Sequence, residues 1–185
     1  MVNTSPSAQR GKVLMHFLVS VDGFVAGPAH DMSFMERTTV RDGLHQEYVE
    51  ALGAILTGRY GFDSTGGDFR PYNGAWTGPI FVLTHHSEDA PHTDGVTMLS
   101  CSVEEALRIV VEAAGGKNVE VFSPTISAQL LERGLIDEVI VHIAPVLLGD
   151  GIRLYEAHDG RLVHLLREGS SPTQTVDLRY TVSPS

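Results

Sequence analysis

Residues 118–155 constrain the fold more than any other part of the chain. Val119, Val121 and Phe122 form a short apolar run of the kind buried in a sheet; Ser123 is a natural N-cap, and Pro124 suits the first helical position, where no backbone N–H is needed. Ile126, Leu130 and Leu131 keep one helical face apolar until Gly134. Val139, Ile140, Val141, Ile143 and Ala144 then supply a second buried strand that ends at Pro145. The spacing predicts a β-α-β crossover. Its helix starts at the carboxyl end of a strand, where free N–H groups and the positive dipole end suit a phosphate.

The rest of the chain reads as layers around that unit. An apolar run at residues 13–19 predicts a central strand, and Ser20-Val21-Asp22-Gly23 turns it into a loop with Gly27, Pro28 and His30. Helical spacing runs from Asp42, a plausible N-cap, through Leu44, Tyr48, Val49 and Leu52 to a stop at Gly53. A strand at 54–57 follows, closed by Gly58-Arg59. Residues 61–79, rich in glycine and aromatics, read as an ordered loop or a broken helix. Strands are expected at 80–84 and 96–99, and Ser102 with Glu105 forms a capping box for a helix ended by Gly115-Gly116. Alternation at Val176, Leu178, Tyr180 and Val182, after a strand at 162–167, predicts a C-terminal antiparallel pair.

Composition narrows the class. With 185 residues and 42% hydrophobic content, one domain over 12–185 is expected, behind a flexible leader at 1–11. A net charge of -10 opposes general attraction to nucleic acid or to anionic membranes, and the run at 13–21 is too short to span a bilayer. A lone Cys101 leaves no intrachain disulfide framework. Without a cleavable signal the cytoplasm is the expected location.

Strand ends carrying Ser20-Val21-Asp22-Gly23-Phe24-Val25-Ala26-Gly27, Thr57-Gly58-Arg59 and Phe81-Val82-Leu83-Thr84, followed by QLLERGLIDEVIVHIAPVLLGDG at 129–151, give the chain a resemblance. It resembles the dihydrofolate reductase-like family, and more closely the C-terminal reductase domain of the bifunctional riboflavin-biosynthesis deaminase-reductase. The resemblance covers residues 12–182. It implies an α/β fold of three layers: a mostly parallel mixed sheet flanked by helices, with the C-terminal antiparallel pair. It also implies NADPH bound across the strands' carboxyl ends, hydride transfer to a small heterocyclic (pterin-like or pyrimidine-like) or natural-product substrate, and a homodimer.

Carried onto this chain, the resemblance places Gly58 and Arg59 at the 2′-phosphate of NADPH, where a guanidinium fork suits phosphate; Gly61 stands where the family usually has a threonine. Thr84 and His85 fall on the adenosine side. Phe122 and Ser123 occupy the place of a Gly-Gly pair whose bareness admits the diphosphate, so the phenyl ring either fills that space or turns into the core and leaves Ser123, Thr125 and the helix N–H groups as an anion site. Asp22, in the first loop, and Asp42, near the start of the first helix, are the candidate catalytic carboxylates, with Asp31 a further one; each also has an ordinary turn or capping role. Met32, Phe34 and Met35 line a pocket or anchor their loop. The cluster His85, His86, Glu88, Asp89 and His92 lacks the spacing of a metal site, and His142 reads as a sheet-face residue. Phe122 and Gly61 together motivate an alternative: a non-catalytic small-molecule binding protein on the same fold with a degenerate cofactor site.

Overall fold

The computed structural model describes residues 10–66, 68–87, 89, 92–156 and 162–166. The chain divides into two compact units, Met1–Tyr155 and Glu156–Ser185. In the first, six strands form one sheet: β1 (Val13–Ser20), β3 (Leu52–Gly58), β4 (Ile80–Leu83), β5 (Val96–Leu99), β6 (Asn118–Val121) and β7 (Glu138–Ala144). Their order is β5-β4-β3-β6-β1-β7 and each pairing is parallel. Two short strands, β2 (Phe24–Ala26) and β8 (Ile152–Arg153), pair antiparallel. The helices are α1 (Leu44–Ala51), α2 (Arg59–Asp63), α3 (Val103–Ala113) and α4 (Pro124–Glu132). This is the dihydrofolate reductase-like arrangement.

The crossover at the centre forms for the reasons legible in its residues. Ser123 caps α4, its Oγ accepting from the Ile126 N–H at 3.4 Å, and Pro124 sits in the first turn. Gly134, at φ 69°, provides the left-handed residue that turns the chain away. Ser102 likewise caps α3 by accepting from Glu105 N–H at 3.2 Å. Val110 and Leu130 bring the two helices onto Leu56, Val119 and Val121 in one core cluster. Complete burial of Leu130 stabilises the fold by about 2 kcal/mol relative to exposure.

Strand alternation sends the other residues to the opposite face. Val119 and Val121 of β6 join the helical core, whereas Phe122, at the end of β6, packs beside Leu52, Ile55 and Ile80 together with Phe69, Tyr72 and Trp76. That second face, covered by the segment between α2 and β4, carries the candidate site.

Three expectations are corrected. Asp42 is not the cap of α1; Gly43, at φ 79°, takes that position without a side-chain bond. Gly53 does not stop the helix but lies inside β3, where a Cβ would stand 2.4 Å from the Ala114 carbonyl oxygen, so the glycine marks a close strand–helix approach. An antiparallel pair joins β2 to β8; of the strand expected at 162–167, residues 162–166 carry none, and the predicted strand at 175–182 lies outside the described residues, as does most of the leader.

Candidate functional site

A cavity of about 730 Å³ opens at the carboxyl ends of β1, β3 and β6 and beside β7. At one end the start of α4 meets the end of β3. Gly58, Ser123 and Thr125 line this part, and a Cβ on Gly58 would stand 3.1 Å from Ser123 Oγ, tighter than ordinary contact. The bare glycine therefore keeps open a cradle of hydroxyl and N–H donors at the helix start, which is the chemistry that holds a phosphate group. Phe122 stands beside this corner. Its ring lies 6.0 Å from Tyr72 and 6.4 Å from Phe69, centre to centre, so it lines the cavity as part of an aromatic cluster. Thr57 Oγ1 donates to the Phe122 carbonyl at 3.2 Å and ties β3 to this corner. Among the described residues no peptide bond is cis.

The other end holds a buried polar chain that sequence reasoning missed. Glu120, only 1% exposed in the middle of β6, accepts from the Tyr72 hydroxyl at Oε2 and faces His16 Nδ1 at 3.3 Å through Oε1. His16, on β1 and also buried, has Tyr72 Oη 3.1 Å from Nδ1 and His142 Nε2, from β7, 2.9 Å from its own Nε2. Tyr48 of α1 closes over His16 at 4.4 Å between ring centres. A carboxylate is tolerated in an apolar interior only with such partners. Burial, and then the charge of Glu120, hold the Tyr72 hydroxyl far above the ordinary tyrosine range, so it remains a donor. Burial, followed by the neighbouring His16, His45 and Arg41, pushes His142 below the ordinary histidine range. The turn presenting Tyr72 is strained: Tyr72 and Asn73 sit at φ 55° and 56°, conformations that L-residues rarely adopt and that cluster at functional sites.

The expected site residues separate into two groups. Gly58, Phe122, Ser123 and Thr125 line the cavity, with Met32 and Met35; Phe34 is buried beside them. Arg59, Thr84, His85, Asp22 and Asp42 do not line it. Arg59 opens α2 and pairs through Nε with Asp63 at 2.7 Å while donating to the His86 carbonyl at 3.1 Å. Thr84 Oγ1 accepts from the His86 N–H, an ordinary turn bond, and His85 is exposed. Asp31 accepts from the Ser33 N–H and hydroxyl. Asp42 is exposed. Among the described residues, no three His, Cys, Asp or Glu side chains group closely enough to hold a metal ion, and no helix is long and apolar enough to cross a membrane.

Asp22 instead locks two loops together. Its carboxylate accepts from Ser20 Oγ at 2.6 Å and from the N–H groups of Gly149 at 2.7 Å and Leu148 at 3.1 Å. Led by the Ser20 bond and then that of Gly149, these hold its pKa down to about 2, so it is ionised at neutral pH and unsuited to donate a proton. The folded-state value lies below the ordinary 3.8, so the stabilisation from these bonds is complete above about pH 4 and is lost as the pH falls through about 2. Asp22→Asn is expected to remove that part of the acid sensitivity. Urea midpoints at pH 5 and pH 2.5 check it: the drop between them should be smaller in the variant, and an equal drop would show that Asp22 contributes nothing pH-dependent.

The family model of the RibD C-terminal domain matches residues 75–168, half of the chain, and the chain belongs to that family. Solved structures agree in fold. A protein of Shewanella sp. PV-4 assigned to riboflavin biosynthesis superposes with a TM-score of 0.67 at 20% identity, over 82% of this chain and 87% of that one. The riboflavin biosynthesis reductase Rib7 of Saccharomyces cerevisiae gives 0.55 at 16% identity, over 88% and 84%. Dihydrofolate reductase of Enterococcus faecalis, complexed with NADP(H), gives 0.53 at 15% identity, over 80% of each chain. Among curated proteins no sequence matches the chain.

Proposed function

We propose that the protein is an NADPH-dependent reductase of a small heterocyclic substrate, pterin-like or pyrimidine-like, or of a natural product. One observation carries the reading: the donor-lined cradle between Gly58 and Ser123 is continuous with an aromatic cavity of about 730 Å³, large enough for a planar ring beside a phosphate-bearing chain. Ser123, Thr125 and the first N–H groups of α4 would hold the diphosphate, and Gly58 would let it approach. Bound NADPH would supply a hydride; the protein's own part is to orient the two rings and keep water out. Membership of the RibD C-terminal domain family supports this, as does the reductase name of Rib7.

Arg59 is the expected partner of the 2′-phosphate, and it must share or exchange its Asp63 contact to serve. Calorimetric titration tests both points. NADPH is expected to bind in the micromolar range, and Arg59→Ala to weaken it about tenfold while leaving NADH nearly unchanged, as loss of one charge-assisted contact predicts. Equal losses for both cofactors would remove the phosphate role of Arg59. No NADPH binding up to millimolar concentration would sink the reductase and favour a binding protein with a degenerate cofactor site, a reading for which the Arg59–Asp63 pair and Phe122 in place of glycine speak.

A further inference from the structure

His142 and His16 meet through their Nε2 atoms at 2.9 Å, so one of the two nitrogens carries a hydrogen and the other a lone pair. The far side of His16 fixes more. Tyr72 gives its hydroxyl hydrogen to Glu120, which leaves the Tyr72 oxygen and the carboxylate both facing His16 Nδ1 with lone pairs. Nδ1 of His16 therefore holds a hydrogen. When both rings are neutral, His16 accepts at Nε2 from His142. When the pair takes up one more proton at His142 Nδ1, the shared hydrogen shifts to His16 and the positive charge comes to rest beside Glu120.

His16, Tyr72 and His142 all line the cavity, but of the two rings only that of His142 brings to it a ring nitrogen without a partner among the described residues. Glu120 and His16 are 1% and 7% exposed with their polar atoms engaged, whereas His142 is half-buried, lines the cavity, and has no hydrogen-bond partner at Nδ1 among the described residues. The groups facing it are His16 from β1, His45 and Tyr48 from α1, Arg41 just before α1, and Glu120 from β6. Of these only His16 is bonded to it, so the proton route runs through His16.

The geometry points to a proton-transfer site in which His142 hands a proton to a ring nitrogen or carbonyl oxygen of a planar heterocycle in the cavity, with His16 and Glu120 as positioning residues. This rests on the reductase reading. Reduction of a C=N or C=O bond leaves an electron pair on the heteroatom, which forms an N–H or O–H bond with the proton leaving His142 Nδ1. As that bond breaks, the shared hydrogen returns from His16 to His142, both rings end neutral, and the pair regains one proton from water.

Nitrogen NMR of histidine-labelled protein, titrated from pH 4.5 to 9 without ligand and again at saturating pterin, tests the site. Both rings are expected to follow one coupled protonation. Glu120→Gln is expected to weaken the pair's proton affinity about tenfold or more, and pterin to shift the His142 resonances. His142→Gln, with an unchanged circular dichroism spectrum, should abolish the coupled step seen at His16. Independent titration of the two rings, an unmoved midpoint in Glu120→Gln, or His142 signals indifferent to bound pterin would each overturn the proposal. Coupled titration in a protein that fails to bind NADPH would retire the reductase and keep the relay; NADPH binding with uncoupled rings would do the reverse.

Discussion

Glu120→Ala is expected to cost about 3 kcal/mol of folding stability, roughly a hundredfold in the folded-to-unfolded ratio, because it strips a buried hydrogen-bonded network of its acceptor. The half-buried Tyr72 hydroxyl would lose its acceptor, and the Nδ1–H of the buried His16 would be left with Tyr72 Oη alone. The loss also frees a strained turn. Tyr72 and Asn73 hold left-handed conformations that cost about 1 kcal/mol or more each, and the bond to Glu120 is part of what keeps them there. Glu120→Gln retains an acceptor of the same shape and is expected to cost about 1 kcal/mol. Urea unfolding at pH 7, followed by circular dichroism and by the fluorescence of Trp76, measures both. A loss below about 0.5 kcal/mol for the alanine variant, the range of unremarkable surface changes, would show that the carboxylate is not integral to the interior.

How far the sequence discloses this site depends on the range of the contacts involved. The β6–α4–β7 crossover is legible because its signals are local: Ser123, Pro124 and Gly134 act on backbone groups within a few residues. The phosphate-type cradle is half legible, since the start of α4 can be read from Ser123 whereas its meeting with Gly58 joins two strands distant in sequence. Glu120 is the clearest loss. In Val119-Glu120-Val121 it reads as the polar half of an alternating strand, which suits a face turned to water; here that face is covered, and the partners come from His16 and Tyr72, far along the chain. A carboxylate inside a strand of an otherwise apolar parallel sheet is itself the available signal, because such sheets are buried on both faces. His142 reads from the sequence as a sheet-face residue, which it is, but its pairing with His16 depends on the β1–β7 register, where His16 stands beside Ile140 and Leu18 beside His142. Gly53 shows the same limit in the backbone: a helix-stop residue by local rules, a close contact with Ala114 in the fold.

Gly58→Val is expected to weaken NADPH binding about a hundredfold while leaving the fold intact, since 2.7 kcal/mol corresponds to that ratio and a branched side chain would fill the cradle. The backbone at Gly58, φ -94° and ψ 155°, is extended, so valine is accepted there without strain and suits the end of a strand. Space is the only obstacle. The added Cβ alone would press on Ser123 Oγ at 3.1 Å, with Ser123 Cβ at 3.6 Å and Ile126 Cδ1 at 3.8 Å, and the branch methyls would extend into the gap that the helix-start donors face. Gly58→Ala, which asks Ser123 to yield by a few tenths of an ångström, should lose about tenfold by the same relation. Thermal melts are expected to separate the two effects, with stability changing by no more than about 1 kcal/mol in either variant, because the position opens on a cavity instead of a packed core. A valine variant that binds NADPH as tightly as the unaltered protein would mean that the diphosphate does not sit between β3 and α4. The conserved part of the reading would then be the aromatic cavity alone, and the Arg59–Asp63 pair would stand as a structural contact.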